Sequence, residues 1–183
     1  RARRGSCTTS SWPHAPEPGA ATMSETSEPT LRGTIRGTIR AICLGPGGIP
    51  KQAVEEASVE ALGLVGDAHR FGGHGGEQRA ICLFSIEDYE SLRADGVTCQ
   101  DPGAFGENVL TEGIDFQAIS AGDRLALGEE VVVRIEDVRV PCKVLRSVDP
   151  RFPQLMVGRS GFVASVEQGG TLRPGTTIRK LEA

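Results

Sequence analysis

Short apolar stretches separated by glycine-containing turns recur along most of the chain. The clearest spans residues 131–140, where apolar residues alternate with polar ones, as expected for a strand with one buried face. Similar runs predict strands at residues 41–44, around Val54 and Val59, and at residues 80–84, 107–110, 124–127, 162–166 and 176–181. Many short strands, glycine turns and few helices predict a mainly β fold with a few helices, arranged as a closed or partly closed β-barrel.

One segment carries a clear helical pattern. Ser85 is followed three residues later by Asp88, which is the capping-box arrangement at the start of a helix. Apolar residues then recur at helical spacing as far as Leu92, and Gly96 supplies the stop. A second, shorter helix is predicted at about residues 153–156.

Residues 1–30 lack any such periodicity. They are rich in Arg, Ser, Thr, Pro and Ala, a composition typical of segments that do not build a core. The arginine-rich start is superficially similar to an organelle transit peptide. We prefer to interpret residues 1–30 as a disordered or non-native tail, with Met23 as the expected true start. The folded domain is then expected to occupy residues 31–183 as a single unit.

Composition and charge exclude several classes of function. The formal net charge is −4 and no basic stripe is present, which disfavours nucleic acid as a partner. No apolar run approaches the ~20 residues of a membrane-spanning helix. The five cysteines are widely spaced without a CxxC pair, which argues against a disulfide framework and a cysteine-only zinc site. A reducing cytoplasm is the simplest compartment.

Cys142 is the first candidate for chemistry. It follows the alternating strand and Pro141, which cannot donate to a sheet ladder, so the thiol is predicted at the rim of the sheet. Basic residues flank it: Arg139, Lys143 and Arg146. Positive charge favours the thiolate, which is both the nucleophile and the metal ligand. The plainer interpretation is a small hydrophobe at a strand end.

The other cysteines within the predicted domain are weaker candidates. Cys43 and Cys82 lie inside apolar runs and are predicted to be core residues. Cys99 precedes a loop and is the second candidate for a reactive thiol.

A glycine-rich loop gathers polar residues that could bind a ligand. A metal site there would use Asp67, His69, His74 and Glu77, which are ligand types suited to zinc or non-haem iron. Their spacing matches no helical pair such as HExxH, which makes a metal site the less favoured interpretation. Arg79 could hold an anion by a bidentate contact. The alternative is a solvated loop in which Asp67 accepts hydrogen bonds from backbone amides.

Polar residues in two later segments could also face a ligand. Glu107 and Asn108 follow a predicted buried anchor, Phe105, at the start of a strand. Their side chains could either contact the edge of a heterocycle or brace neighbouring loops. Arg159 lies between two glycines and could present its guanidinium to a phosphate, although a surface arginine in a turn is the commoner case.

Taken in order, these segments resemble the MOSC domain, named for the C-terminal domain of molybdenum cofactor sulfurases. The resemblance extends from about residue 39 to residue 180. It is carried by residues 63–69, 79–83, 102–108, 113–115, 121–125, 140–142 and 158–162. The ordered series, especially Gly-Glu-Asn followed by Pro-Cys, is more specific than any single piece.

The resemblance implies a MOSC-type β-barrel and a molybdopterin-type molybdenum cofactor. Well-studied members reduce N-hydroxylated compounds with molybdenum held by one protein cysteine. Cys142 would then be the metal ligand or a sulfur-handling thiol. The residues that would line or brace the cofactor pocket are Asp67, His69, Arg79, Glu107, Asn108 and Arg159. The expected partners are a small-molecule substrate and a separate electron-transfer protein, because no ferredoxin-type cysteine cluster is present.

Two other functions fit the same residues. The protein could be a non-catalytic carrier of sulfur or cofactor, acting through a persulfide on Cys142. It could also be an interaction module whose pocket holds no cofactor.

Overall fold

Eleven strands and one α-helix make up most of the described structure, a computed structural model that covers residues 35–99 and 101–182. The strands are β1 (Arg36–Leu44), β2 (Gln52–Val54), β3 (Ala57–Glu60), β4 (Gly63–Leu64), β5 (Ile81–Ser85), β6 (Val109–Glu112), β7 (Arg124–Leu127), β8 (Val131–Val138), β9 (Phe162–Gln168), β10 (Gly170–Leu172) and β11 (Thr177–Lys180). The helix α1 spans Ile86–Ala94. Short 3-10 helices span Gly72–His74, Glu77–Arg79, Phe116–Ala118, Lys143–Ser147 and Gln154–Met156.

Seven of the strands close into a barrel. Their order is β1-β11-β7-β8-β9-β5-β6, and β6 pairs again with β1. Neighbours in the barrel are antiparallel except β5 and β6, which are parallel and are joined through α1. The strand β2 pairs with the end of β1, and β10, β3 and β4 form a separate small sheet. The predicted mainly β barrel is therefore confirmed.

Alternation along the strands separates two hydrophobic cores. In β5, for example, Ile81 and Leu83 belong to one core and Phe84 belongs to the other. The first core is formed by the barrel strands together with residues of the small sheet. The second core packs α1 and the later loops against the barrel wall, and includes Tyr89 and Phe105. Each fully buried side chain of this size contributes roughly 1.5–3 kcal/mol.

The helical predictions are confirmed in outline. The Ser85 hydroxyl accepts a hydrogen bond from the Asp88 amide at 3.0 Å, which caps α1. The chain leaves the helix through Gly96, whose φ of +80° is readily available only to glycine. The second predicted helix is a 3-10 turn, Gln154–Met156.

Three strand boundaries differ from the sequence prediction. The strand β8 ends at Val138, and Arg139 then donates its amide to the Gly161 carbonyl at 2.9 Å. The strand β6 begins at Val109 rather than at residue 107. The strand β10 lies between two predicted strands in a segment where none is predicted, because its pairing partner β3 lies far away in sequence.

Two further sequence predictions concern the N-terminal residues and membrane-spanning helices. The prediction of a tail at residues 1–30 lies outside the described residues. Among the described residues, none of the helices has the length and apolar character needed to span a bilayer.

Candidate functional site

A pocket lies on the wall of the barrel where β5 and β9 pair. Cys82 and Val163, which are register partners in these strands, form part of its floor. Loops that follow β1, β4 and β8, and the segment that precedes β6, complete the walls. We call this the strand-end pocket, and its polar lining consists of Lys51, His69, Arg70, His74, Arg79, Cys82, Asn108, Arg139 and Cys142.

Asp67 ties together three segments beneath this pocket. Its Oδ1 accepts the Gly45 amide at 2.9 Å. Its Oδ2 accepts both Lys51 Nζ at 2.6 Å and Asn108 Nδ2 at 2.9 Å. The side chains of Lys51 and Asp67 are only 6% and 2% exposed, so this is a buried ion pair. Asp67 therefore braces the pocket, and the predicted hydrogen bonding to a backbone amide is also observed.

Asn108 is a second brace at the same place. Its Oδ1 accepts the Cys82 amide at 3.1 Å, and its Nδ2 also donates to the Cys43 carbonyl at 3.3 Å. Since both ends of the amide are engaged by the protein, the structure supports bracing of the loops over direct contact with a heterocycle. The side chain nevertheless forms part of the pocket lining.

Glu107 lies behind the pocket rather than in its lining. It is fully buried, and its Oε1 accepts the Tyr89 hydroxyl and the Gly103 amide, both at 2.6 Å. Burial and the adjacent Glu107 carboxylate raise the pKa of Tyr89, so the phenol stays protonated and donates. Phe105 is also fully buried, as predicted, and its ring lies 4.7 Å from that of Tyr89. Glu107 therefore stabilises the segment behind the pocket wall through its hydrogen bonds to Tyr89 and Gly103.

His69 is held at the edge of the pocket. Its Nε2 lies 3.8 Å from Asp67 Oδ2, and a quarter of its side chain is exposed. A Cβ at Gly75 would lie 2.7 Å from His69 Nδ1, so any other residue at position 75 would force the imidazole ring to shift. Burial lowers the pKa of His69, opposed by Asp67, while Lys51 and other nearby cations lower it further. The neutral imidazole is therefore favoured near neutral pH.

Two arginines bring unsatisfied donors to the pocket. Arg79 Nε and Arg139 Nη1 are buried and have no hydrogen-bond partner in the described part of the chain. Arg139 Nη2 donates to the Phe105 carbonyl, which fixes that guanidinium against the wall. Buried donors without partners are costly, and a bound anion would satisfy them.

Cys142 lies in the pocket together with a second thiol. It is half-buried and precedes the 3-10 helix Lys143–Ser147, on the loop that follows β8 rather than at the end of the strand itself. Cys82, predicted to be a core residue, instead contributes to the pocket lining and is also half-buried. Burial raises the pKa of Cys82, partly opposed by Arg139. Both thiols therefore belong to the pocket, with Cys82 inside β5 and Cys142 on the loop after β8.

The remaining described thiols are inaccessible. Cys43 is fully buried, and burial raises its pKa to about 12. Cys99 is 3% exposed, and burial raises its pKa as well. The suggestion that Cys99 is a second reactive thiol is therefore wrong, because the loop that carries it folds into the second core.

Arg159 does not reach the pocket. Its Nε donates to the Leu155 carbonyl and its Nη1 to the Ser91 hydroxyl, both at 2.6 Å, and it forms an ion pair with Asp95. These contacts fasten the segment before β9 to α1. The structure does not bring Arg159 together with the other predicted cofactor-binding residues, because its guanidinium is fully engaged elsewhere.

Lys51 is the site residue that sequence reasoning missed, and the position of Arg139 was only partly foreseen. Lys51 follows Pro50 in a short segment without a motif, so only its burial against Asp67 reveals it. Arg139 was noted as a basic neighbour of the thiol, but its place in the pocket depends on how the strand ends. The sequence signal for Arg139 was the excess of cations around a predicted rim thiol in an acidic chain.

The residues present fit a cofactor that needs one soft protein ligand and anion-binding groups. Within the described residues, no cluster of three or more His, Cys, Asp or Glu side chains could hold a metal ion alone. The loop metal site considered from sequence is thus not formed, since Asp67 is engaged by Lys51 and Asn108. The unpartnered nitrogens of Arg79 and Arg139 match an anionic group, and the Cys142 thiol matches a soft metal.

The fold and the pocket define a β-barrel protein with a cationic, thiol-containing cleft. A model of the MOSC domain family matches residues 71–179, more than half of the chain. The chain therefore belongs to the MOSC domain family.

The chain is also similar to individual proteins and solved structures. A protein of Gibberella moniliformis named "Reductase" is 32% identical over 130 residues, which cover 67% of this chain but only 23% of that protein. The crystal structure of YiiM from Geobacillus stearothermophilus is similar with a TM-score of 0.68 and 26% identity, covering 80% of this chain and 75% of that one. YuaD from Bacillus subtilis shares the fold with a TM-score of 0.67 at 21% identity, covering 81% of this chain and 97% of that one.

Proposed function

We propose that this chain binds a molybdopterin-type cofactor in the strand-end pocket and reduces N-hydroxylated compounds with electrons from a separate donor. One observation carries the proposal: the pocket unites an accessible thiol, Cys142, with two guanidinium groups that retain buried, unpartnered N–H donors. Membership of the MOSC family and similarity to a protein named "Reductase" support the same class of chemistry.

The chain's own residues divide this work. Arg79 and Arg139 would bind the phosphate of the cofactor through their free donors. The Cys142 thiolate would hold the molybdenum, because sulfur is the soft ligand in the pocket. Lys51 also belongs to the lining, where its ion pair with Asp67 holds it in place.

The reaction is a two-electron reduction. When bound, the cofactor supplies the redox chemistry that breaks the N–O bond of the substrate. With two electrons and two protons, R–NH–OH yields R–NH₂ and water, and the donor is oxidised by two electrons. His69, at the edge of the pocket, is placed to exchange protons with solvent because a quarter of its side chain is exposed.

The test is to produce the protein in a host that makes the cofactor, and to measure molybdenum, pterin and reductase activity with reduced methyl viologen as donor. Arg79→Met should lose most of the bound pterin, because its free donor is removed. Arg159→Met is the matched control and should retain it, because that guanidinium is engaged by α1 and its neighbouring loop.

Two results would contradict the proposal. The first is protein without molybdenum or pterin from a competent host. The second is a pair of arginine variants that lose pterin equally. Cyanide-releasable sulfur on Cys142 without molybdenum would instead identify a sulfur carrier.

A further inference from the structure

A second cleft lies on the outside of the barrel, between α1 and the strand β2. Its volume is about 430 Å³, within the roughly 300–1,000 Å³ typical of small-molecule sites. We call it the helix cleft, and the lining residues that matter for its chemistry are Arg40, Glu55, Arg93, Pro102, Leu110 and Pro174. The helix cleft and the strand-end pocket have no described lining residue in common, so they are separate sites.

A β-bulge shapes the floor of the helix cleft. The register of β1 against β6 shifts between Ile39 and Ala41, so Arg40 is the extra residue of the bulge. Ile39 belongs to the first core and Ala41 to the second, which places the consecutive residues Arg40 and Ala41 both on the cleft side of the strand. Within the described part of the chain, the Arg40 guanidinium has no hydrogen-bond or ion-pair partner. Its donors are therefore available to a ligand.

Arg93 brings a second positive charge from the last turn of α1. Its Nε donates to the Cys99 carbonyl at 2.7 Å, and its guanidinium carbon lies 5.5 Å from the centre of the Tyr89 ring. These contacts fix the side chain in advance, which lowers the entropic cost of binding. Glu55 is the one carboxylate in the described lining, so two guanidinium groups face one negative charge. The cleft therefore favours a ligand with a single negative charge.

The rest of the described lining is apolar. Leu110 is buried on β6, and Ile86 and Val54 are half-buried on α1 and β2. Pro102 and Pro174 add rigid rings from two loops. Such walls favour a ligand with an apolar body, because contact with them removes apolar surface from water.

We propose that the helix cleft binds a small organic carboxylate that carries an apolar body. Arg40 donates charge-assisted hydrogen bonds to the carboxylate, Arg93 contributes a fixed positive charge beside it, and the apolar body lies against Leu110 and the two proline rings. A phosphate dianion suits the site less well, because Glu55 repels the second negative charge. The inference does not rest on the proposed function, since it concerns a different part of the surface.

Benzoate is the probe, with benzamide and acetate as matched comparisons. Benzamide keeps the ring without the charge, and acetate keeps the charge without the ring. Calorimetric titration of the wild-type protein should give a dissociation constant for benzoate at least about tenfold lower than for either compound, because each lacks one of the two recognised parts. Inorganic phosphate should also bind at least about tenfold more weakly, since it has no apolar body.

Arg40→Gln removes the guanidinium and should raise the benzoate dissociation constant about tenfold, with less than about a twofold change for benzamide. Arg36→Gln is the matched control and should bind like wild type, because Arg36 is an exposed arginine on the same strand that lines neither site. In nuclear magnetic resonance spectra, benzoate should shift the backbone amides of Val54 and Leu110 but not that of Cys82 in the strand-end pocket.

The outcomes separate this inference from the reductase proposal. Unchanged benzoate affinity in Cys142→Ser, and in protein that holds no molybdenum, supports the helix cleft whether or not the reductase proposal survives. Equal affinities for benzoate and benzamide, or for benzoate and phosphate, overturn the inference. It also fails if Arg40→Gln leaves benzoate binding unchanged, or if Arg79→Met weakens it equally, because the probe would then occupy the strand-end pocket.

Discussion

Replacing Lys51 with methionine is the sharpest test of how the pocket is built. The change keeps most of the apolar stem and removes the ammonium that lies 2.6 Å from Asp67 Oδ2. The carboxylate would remain in a site where its side chain is 2% exposed. It would retain hydrogen bonds from the Gly45 amide and Asn108, and the nearest basic group left would be His69, whose Nε2 lies 3.8 Å from Asp67 Oδ2.

The expected cost follows from burial. Removing one partner of a buried ion pair typically costs about 3–5 kcal/mol, because the other charge stays desolvated. The two remaining hydrogen bonds to Asp67 place the estimate near the lower end, at about 3 kcal/mol. The chain offers a matched control in Lys180 and Asp123, which are also 2.6 Å apart but are 30% and 20% exposed. Lys180→Met should cost only about 0.2–1 kcal/mol, since solvent screens that pair.

Urea unfolding followed by far-ultraviolet circular dichroism gives both free energies of unfolding. The slope of the transition should be the same in all three proteins, which shows that they unfold comparably. The melting temperature should fall by about 10 °C in Lys51→Met and by about 1–3 °C in Lys180→Met. If the two variants lose equal stability, the buried pair does not brace the pocket as argued.

Three other predictions concern separate parts of the molecule. Iodoacetamide should modify Cys142 well before Cys99 in native protein, because Cys99 is buried and burial raises its pKa; peptide mass spectrometry showing faster labelling of Cys99 would contradict this. Tyr89→Phe removes a hydroxyl that donates to a buried carboxylate and should cost about 1–3 kcal/mol in urea unfolding; an unchanged midpoint would refute this bond. Gly161→Ala should lower the free energy of unfolding by more than about 3 kcal/mol, because a Cβ there would lie 2.0 Å from a backbone carbonyl oxygen at a φ of +73°. Gly96→Ala has open space around the added Cβ and should lower it by only about 1–2 kcal/mol. Similar losses in the two variants would contradict the packing at Gly161.

Much of the fold could be predicted because its elements carry local signals. The alternation around residues 131–138 and the serine cap at Ser85 are properties of adjacent residues, and both are observed. The strand Gly170–Leu172 could not be predicted in this way, because Gly170 and the preceding Gly169 are typical of a turn. Its pairing depends on Ala57–Glu60, more than a hundred residues earlier.

The candidate site was predictable where a residue's position along its strand decides its surroundings. Cys82 shows this least well, because it lies within β5 yet lines the pocket, whereas Phe105 is buried as its apolar character predicts. Arg159 shows the limit: its flanking glycines suggested a ligand contact, but its carboxylate partner Asp95 lies at the end of a distant helix. Lys51 was missed because nothing near it in sequence indicates that it forms a buried ion pair with Asp67.

Molybdenum content is the most direct test of the central claim that Cys142 holds the metal of a cofactor in the strand-end pocket. Wild-type protein, Cys142→Ser and the buried-thiol control Cys99→Ser would be purified from a host that makes the cofactor, and molybdenum would be measured by mass spectrometry. The account predicts near-stoichiometric molybdenum in wild type and Cys99→Ser, and a loss of most of it in Cys142→Ser. Equal molybdenum in Cys142→Ser and wild type would contradict it.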